Sequence, residues 1–228
     1  MRTRNIFILF TMLALHLSAC TDIEDGTTDI DSWPAINEYT LAHPCMLHTA
    51  ADLSYVASKL TVAPWSEGYD KLKNSGYSYA GYVPTPQEVL GRMDQGNWAS
   101  KFPEWWNNYT YFYKDAAAAY QLALRWKLEG DVACGQTAVK ILNAWAETCK
   151  GLVRVKSLAN DRTYDANGEI ADPNEYLISI NVHQMANAAE IMRTDETLFT
   201  KAQLSAFQTM MKNVFYPAAS DFLADRKS

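Results

Sequence analysis

Apolar residues along this chain recur three and four positions apart rather than alternately, the spacing that gives a helix one buried face. In TAADLSYVASKL, Thr49 precedes the apolar run and Asp52 follows three residues on, a capping-box spacing that predicts a helix start after His43-Pro44. WSEGYDKLKN predicts a second, short helix, and TPQEVLGRM a third with Thr85 as cap and Pro86 at its first position. SGYSYAGYVPT, between them, reads as a loop rich in Gly and Tyr. KDAAAAYQLALRWKLEGD has high helix propensity and stops at Gly130; CGQTAVKILNAWAETCKG resumes with Ile141, Leu142, Trp145 and Ala146 on one face. These two predict an antiparallel hairpin. After the polar loop LANDRTYDANGEIADPN a second hairpin is expected, from residues 174–193 and KAQLSAFQTMMKNVF, broken at Pro217. Hairpins in succession, with no βαβ rhythm, predict an all-α stack of helix pairs.

The stretch NEYLISINVHQMANAAEIMR, residues 174–193, carries an unusual pattern. On a helical wheel Ile178, Val182, Met185, Ala189 and Met192 form one apolar wall, and Leu177, Ile180, Gln184, Ala188 and Ile191 lie on the other side. Between them runs a narrow strip of Ser179, His183, Asn187 and Glu190. An inner helix flanked by neighbours and showing a thin edge to a cavity needs such a strip. Polar residues that satisfy one another or backbone groups inside a bundle need it equally, so two readings stand open.

The first twenty residues break the pattern. MRTRNIFILFTMLALHLSAC places two arginines before an apolar run from Ile6 to Leu17 and then the small-residue box LSAC, the order of a bacterial secretion signal. A cysteine closing that box resembles the lipobox of bacterial lipoproteins, which implies cleavage before Cys20, lipid on Cys20 and a membrane tether outside the cytoplasm. The expected organisation is a signal peptide over 1–19, an acidic flexible tether over 20–40 and a helical domain over 41–228. Loss of residues 1–19 removes Arg2 and Arg4 and no acidic side chain, so the formal net charge moves from −6 to −8. That acidity argues against nucleic acid as a partner.

Three further cysteines, Cys45, Cys134 and Cys149, include no CxxC pair, and no histidine stands at zinc-ligand spacing. No metal is therefore expected. Cys134 and Cys149 sit near opposite ends of one predicted helix, about 22 Å apart, too far to bridge.

HPCMLHTAADLSYVASKL, WSEGYDKL, DAAAAYQLALRWKLEGD, AVKILNAWAETCKGL and HQMANAAEIMR together resemble, in the same order, the N-terminal half of the alginate lyase family of polysaccharide lyases. The likeness runs over roughly residues 41–216, and AAAAYQLALRW through NAWAETC is its most specific part. It implies an incomplete α/α toroid and β-elimination of a uronate-containing polysaccharide without a cofactor, by an exported lipoprotein of the periplasm, outer membrane or cell surface. Elimination needs a group to neutralise the uronate carboxylate, a base for the C5 proton and an acid for the departing O4. The family's main catalytic set follows the helix matched by HQMANAAEIMR, so it is expected beyond residue 228, with the chain truncated relative to the family; within the chain His183 is the best candidate. The resemblance places His183 and Gln184 on an inner helix against substrate, Gln184 lying toward the apolar wall where a structural role is equally open, and the polar strip adds Asn187 to the cavity edge. The resemblance places Tyr77, Tyr79 and Tyr82, with Arg92 beyond them, in a lid over the cleft, and packing of these tyrosines onto the domain is the equally open reading. Trp105 and Tyr109, in EWWNNYTYFYKD, are candidates for a sugar-stacking floor or for core. Arg154, Lys156 and Arg162 form a basic cluster that suits an anionic polymer. A non-catalytic glycan-binding surface lipoprotein of a polysaccharide-uptake system is the alternative.

Overall fold

The computed structural model describes residues 41–91, 108–153 and 179–225. Apart from Leu41 they all belong to one compact unit, Ala42–Ser228. Its helices are α1 (Ala50–Ala57), α2 (Trp65–Lys73), α3 (Tyr109–Glu129), α4 (Val132–Thr148), α5 (Val182–Met192), α6 (Lys201–Met210) and α7 (Tyr216–Asp225). A π-helical turn, Met211–Phe215, joins the last two, and two short strands, β1 (Val89–Gly91) and β2 (Gly151–Val153), pair in parallel. The described residues are mostly helical, as the periodicity predicts.

Local chemistry sets the helix ends. Thr49 caps α1 through a complete capping box: its hydroxyl accepts the Asp52 amide, and the Asp52 carboxylate accepts the Thr49 amide. Thr200 and Gln203 build the same device at α6. Between α3 and α4 the chain reverses over Gly130, at φ 78°, where a side chain would be strained, and Asp131, which caps α4 by accepting the Cys134 amide. Arg125 clamps this turn, donating to Glu129 and Asp131 and also to the Ser78 carbonyl of the 75–85 loop.

The α3–α4 hairpin forms as predicted. Trp126 lies against Gly135, where an added Cβ would meet the indole at 2.8 Å, and Trp145 reaches Asp115, a register that only antiparallel helices give. Buried Ala116, Ala118, Ala119 and Ala123 keep the surface of α3 low, so α4 and α5 both pack closely on it. Phe112 stacks on Phe215 (4.8 Å between centroids) and meets Trp145 edge-on (5.1 Å), joining hairpin and π turn in one core.

Several elements differ from the sequence expectation. TPQEVLGRM does not start a helix: the Thr85 amide and hydroxyl are spent on Asp115, and Val89–Gly91 forms β1 beside β2. Asn108 extends that pairing with its side chain, accepting the Gly91 amide and donating to the Val89 carbonyl and Gln87. The helix expected over 174–193 spans only Val182–Met192; residues 179–181 form a turn, and 174–178 lie outside the described residues. The second hairpin does not close along its length. Helix α5 packs on α3 and α4 and α6 on α4, and an apolar groove of about 690 Å³ lies between them, lined by Val182, Ala186, Ala189, Leu204, Phe207 and Met211 among others. Nor does Pro217 break the last helix. The Tyr216 amide bonds to the Met211 carbonyl, and this wider turn shifts the register just before the residue that has no donor.

Asp115 is fully buried and accepts from the Tyr82 hydroxyl (2.7 Å), the Thr85 amide (2.7 Å), the Thr85 hydroxyl (3.3 Å) and the Trp145 indole (2.7 Å). Asp115→Ala strands the buried Trp145 indole and releases Tyr82 and Thr85 from α3, and we expect a loss of about 3 kcal/mol or more in urea denaturation. A loss below about 1 kcal/mol would show that the loop and hairpin hold together without the carboxylate.

Candidate functional site

Residues 43–49 precede α1 and cross the polar strip of α5. Cys45 and Thr49 pair as an isolated antiparallel bridge, which folds the segment into a tight turn. Its polar atoms then reach outward. The His43 Nδ1–H donates to Glu190 Oε1, which also accepts the Cys45 amide (3.0 Å) and thiol (3.3 Å). The Leu47 amide donates to Asn187 Oδ1 (3.1 Å), while Asn187 Nδ2 donates to the His183 carbonyl (2.7 Å). One amide side chain thus ties the backbone of the segment to the first turn of α5. The next residue, His48, hydrogen-bonds through Nε2 with the Tyr120 hydroxyl of α3, their rings stacked 5.8 Å apart.

The electrostatics follow from this packing. Burial pushes the Glu190 carboxyl up, but hydrogen bonds from His43, from the Cys45 thiol and amide and from Arg193 together outweigh it and leave the group below the usual carboxylate range. Burial, with the hydrogen bond to and charge of Glu190, raises the Cys45 thiol. Burial lowers the His48 imidazole, against a smaller pull from Asp52, and raises the Tyr120 phenol. Near neutral pH the His48–Tyr120 pair therefore offers a neutral imidazole and a protonated phenol. Those are the states in which one can take a proton and the other give one.

His183, at the start of α5, is exposed; its Nδ1–H donates to the Ile180 carbonyl (2.8 Å), so the neutral ring keeps its lone pair on Nε2. Gln184 is half-buried, with Nε2 3.4 Å from Asn181 Oδ1. Asn187 is buried beneath the segment. The structure therefore joins the Leu47 amide to the His183 carbonyl through Asn187 and gathers His43 and Cys45 on Glu190, while the His183 ring stays outside this cluster. Tyr82 is drawn instead to Asp115, where burial and then that hydrogen bond push its phenol far up. Tyr77 and Tyr79 flank it at 6.4 and 6.0 Å, 36% and 51% exposed. Their loop is held to the α3–α4 hairpin by Arg125 on the Ser78 carbonyl and Thr137 on the Ala80 carbonyl. Tyr109 meets Tyr113 edge-on at 5.1 Å and packs against the core. Cys20, Arg92, Trp105, Arg154, Lys156 and Arg162 lie outside the described residues.

Sequence reasoning missed His43, Cys45, His48 and Tyr120. The string HPCMLH, two histidines around a cysteine, was the available signal. Among the described residues one group can hold a metal ion: His43, Cys45 and Glu190, whose ligand atoms lie within 4.8 Å of one another. Cys45, Cys134 and Cys149 are all free thiols, and no described helix is long and apolar enough to cross a membrane. Comparison with protein-family models, curated proteins and solved structures gave no match.

A histidine whose folded pKa is lowered binds fewer protons than the unfolded chain below its ordinary value of 6.5, so stability is complete above that value and falls as pH drops through the window beneath it. Between about pH 7.5 and 5.5 the parent chain should lose more stability than His48→Asn, which lacks this titration. Parallel denaturation midpoints for the two proteins would show that burial does not perturb His48.

Proposed function

We propose that this chain is a lipid-anchored polysaccharide lyase of the alginate lyase family, its residues 41–216 resembling the N-terminal half of that family, acting on an anionic uronate polymer by β-elimination. What carries the reading is the ordered sequence likeness over residues 41–216, whose most specific stretch coincides with the α3–α4 hairpin at the centre of the fold. On this reading the helix pairs are part of an incomplete α/α toroid, and Cys20 bears the lipid.

The geometry adds a chemical reason. Proton abstraction at C5 and proton delivery to O4 call for a base and an acid near one sugar ring. In this proposal half-buried His48 serves as base and Tyr120 as acid, in place of the catalytic set that the family resemblance puts beyond residue 228, and exposed His183 is a further imidazole on α5. Asn187 acts by holding the segment in place, since both ends of its amide are engaged. Arg92 and Gln184 are the candidates for pairing with the uronate carboxylate. The exposure of Tyr77 and Tyr79 supports a second reading, a surface that stacks on sugar rings and binds glycan without cleaving it.

The test is ultraviolet absorbance of the unsaturated uronate product, with the purified chain on alginate and on glucuronan. Product should accumulate, and Tyr120→Phe should slow it by roughly 10²–10⁴-fold. Equal rates would remove Tyr120 from the chemistry. Binding of either polymer in affinity electrophoresis with no product from the parent chain would favour the glycan-binding reading.

A further inference from the structure

We propose that His43 Nδ1, Cys45 Sγ and Glu190 Oε1 form a zinc site that ties the 43–49 segment to α5. The ligand atoms converge: Cys45 Sγ is 3.3 Å from His43 Nδ1 and 3.3 Å from Glu190 Oε1, and all three lie within 4.8 Å of one another. A tetrahedral zinc with bonds of about 2.0 Å to nitrogen and oxygen and about 2.3 Å to sulfur sets its ligands about 3.3–3.6 Å apart. Both sulfur distances are close to that range. Only the hydrogen-bonded His43 ring and Glu190 carboxylate must part, and His43 stands on a segment without regular structure and is partly exposed.

The donor set selects the ion. Imidazole, thiolate and carboxylate together suit zinc, whereas magnesium and calcium take oxygen ligands. On binding, the Cys45 thiol releases its proton to solvent, and His43 coordinates through Nδ1 as an imidazole that carries its remaining proton on Nε2. The thiolate and Glu190 carboxylate then balance the two charges of the metal. Glu190 is already oriented for this: Arg193 Nη1 holds Oε2 at 3.3 Å and the Cys45 amide occupies one lone pair of Oε1 at 3.0 Å, leaving another for the ion. Three protein ligands leave a fourth position open. Glu190 and Arg193 also line the 690 Å³ groove, so the site borders a solvent-accessible cavity. The site stands independently of the lyase reading, because its test measures metal and not turnover.

Cobalt(II) alone is the probe, titrated into the reduced, purified chain. We expect a thiolate-to-metal charge-transfer band in the near ultraviolet and intense visible bands of tetrahedral cobalt, saturating at one equivalent and displaced by zinc. Cys45→Ser should abolish the ultraviolet band; it keeps a hydroxyl donor to Glu190, so an unchanged circular dichroism spectrum separates a lost ligand from a lost fold. Cys134→Ser, at a helix cysteine outside the site, should keep the band. Glu190→Gln should weaken zinc binding by about 100-fold or more. Absence of the band at stoichiometric cobalt, its survival in Cys45→Ser, or undiminished affinity in Glu190→Gln would each overturn the site.

Discussion

A fully buried carboxylate on a helix whose other buried residues are alanine, leucine and phenylalanine has few ways to be tolerated. Asp115 is tolerated because elements from two other parts of the chain bring it donors: Tyr82 and Thr85 from the loop before β1, and Trp145 from α4. The Trp145 indole, itself fully buried, would be costly to leave unpaired. Loop, hairpin and core are therefore mutually dependent: the loop must fold over α3 to satisfy the acid, and the acid fixes where the loop lies. Phe112 packs on Trp145 and Phe215, so the placement of the indole by Asp115 extends to the π turn and to the helices it joins.

The hairpin was legible in the sequence because all its information is local. Helix propensity, the Gly130 stop, the Asp131 cap and a single apolar face all lie within one continuous run. The Thr49 capping box was legible for the same reason. TPQEVLGRM misled because its signals, a Thr followed by Pro, describe a helix start only if that Thr is free to cap, and Asp115, thirty residues away, takes both its donors. Pro217 misled in the opposite sense. A proline removes one donor, but a π turn upstream shifts the bonding register, and nothing in the local pattern of MMKNVF announces that turn.

The polar strip of α5 was visible, whereas its occupant was not. Spacing alone allowed a cavity edge or an internal network; in the structure Asn187 and Glu190 receive the backbone of residues 45 and 47, and His183 stays exposed. The partners stand 140 to 147 residues apart. A motif search over local spacing cannot join His43 and Cys45 to Glu190. The helix wheel says only that the strip wants partners; tertiary packing decides which.

Asp115 and Glu190 are both buried acids in an acidic protein, yet their partners differ in kind. Around Asp115 stand a phenol, an alcohol, an indole and a backbone amide, neutral donors that have no other use for their protons near neutral pH. Around Glu190 stand an imidazole, a thiol and a guanidinium, two of them groups that exchange a proton for a metal ion, on a segment held by a handful of side-chain bonds. The first arrangement has one low-energy state and suits a structural keystone. The second can satisfy the same carboxylate through hydrogen bonds or, as proposed, through a metal ion, which sets the crossing of the 43–49 segment over α5 apart from the neutral cradle of Asp115.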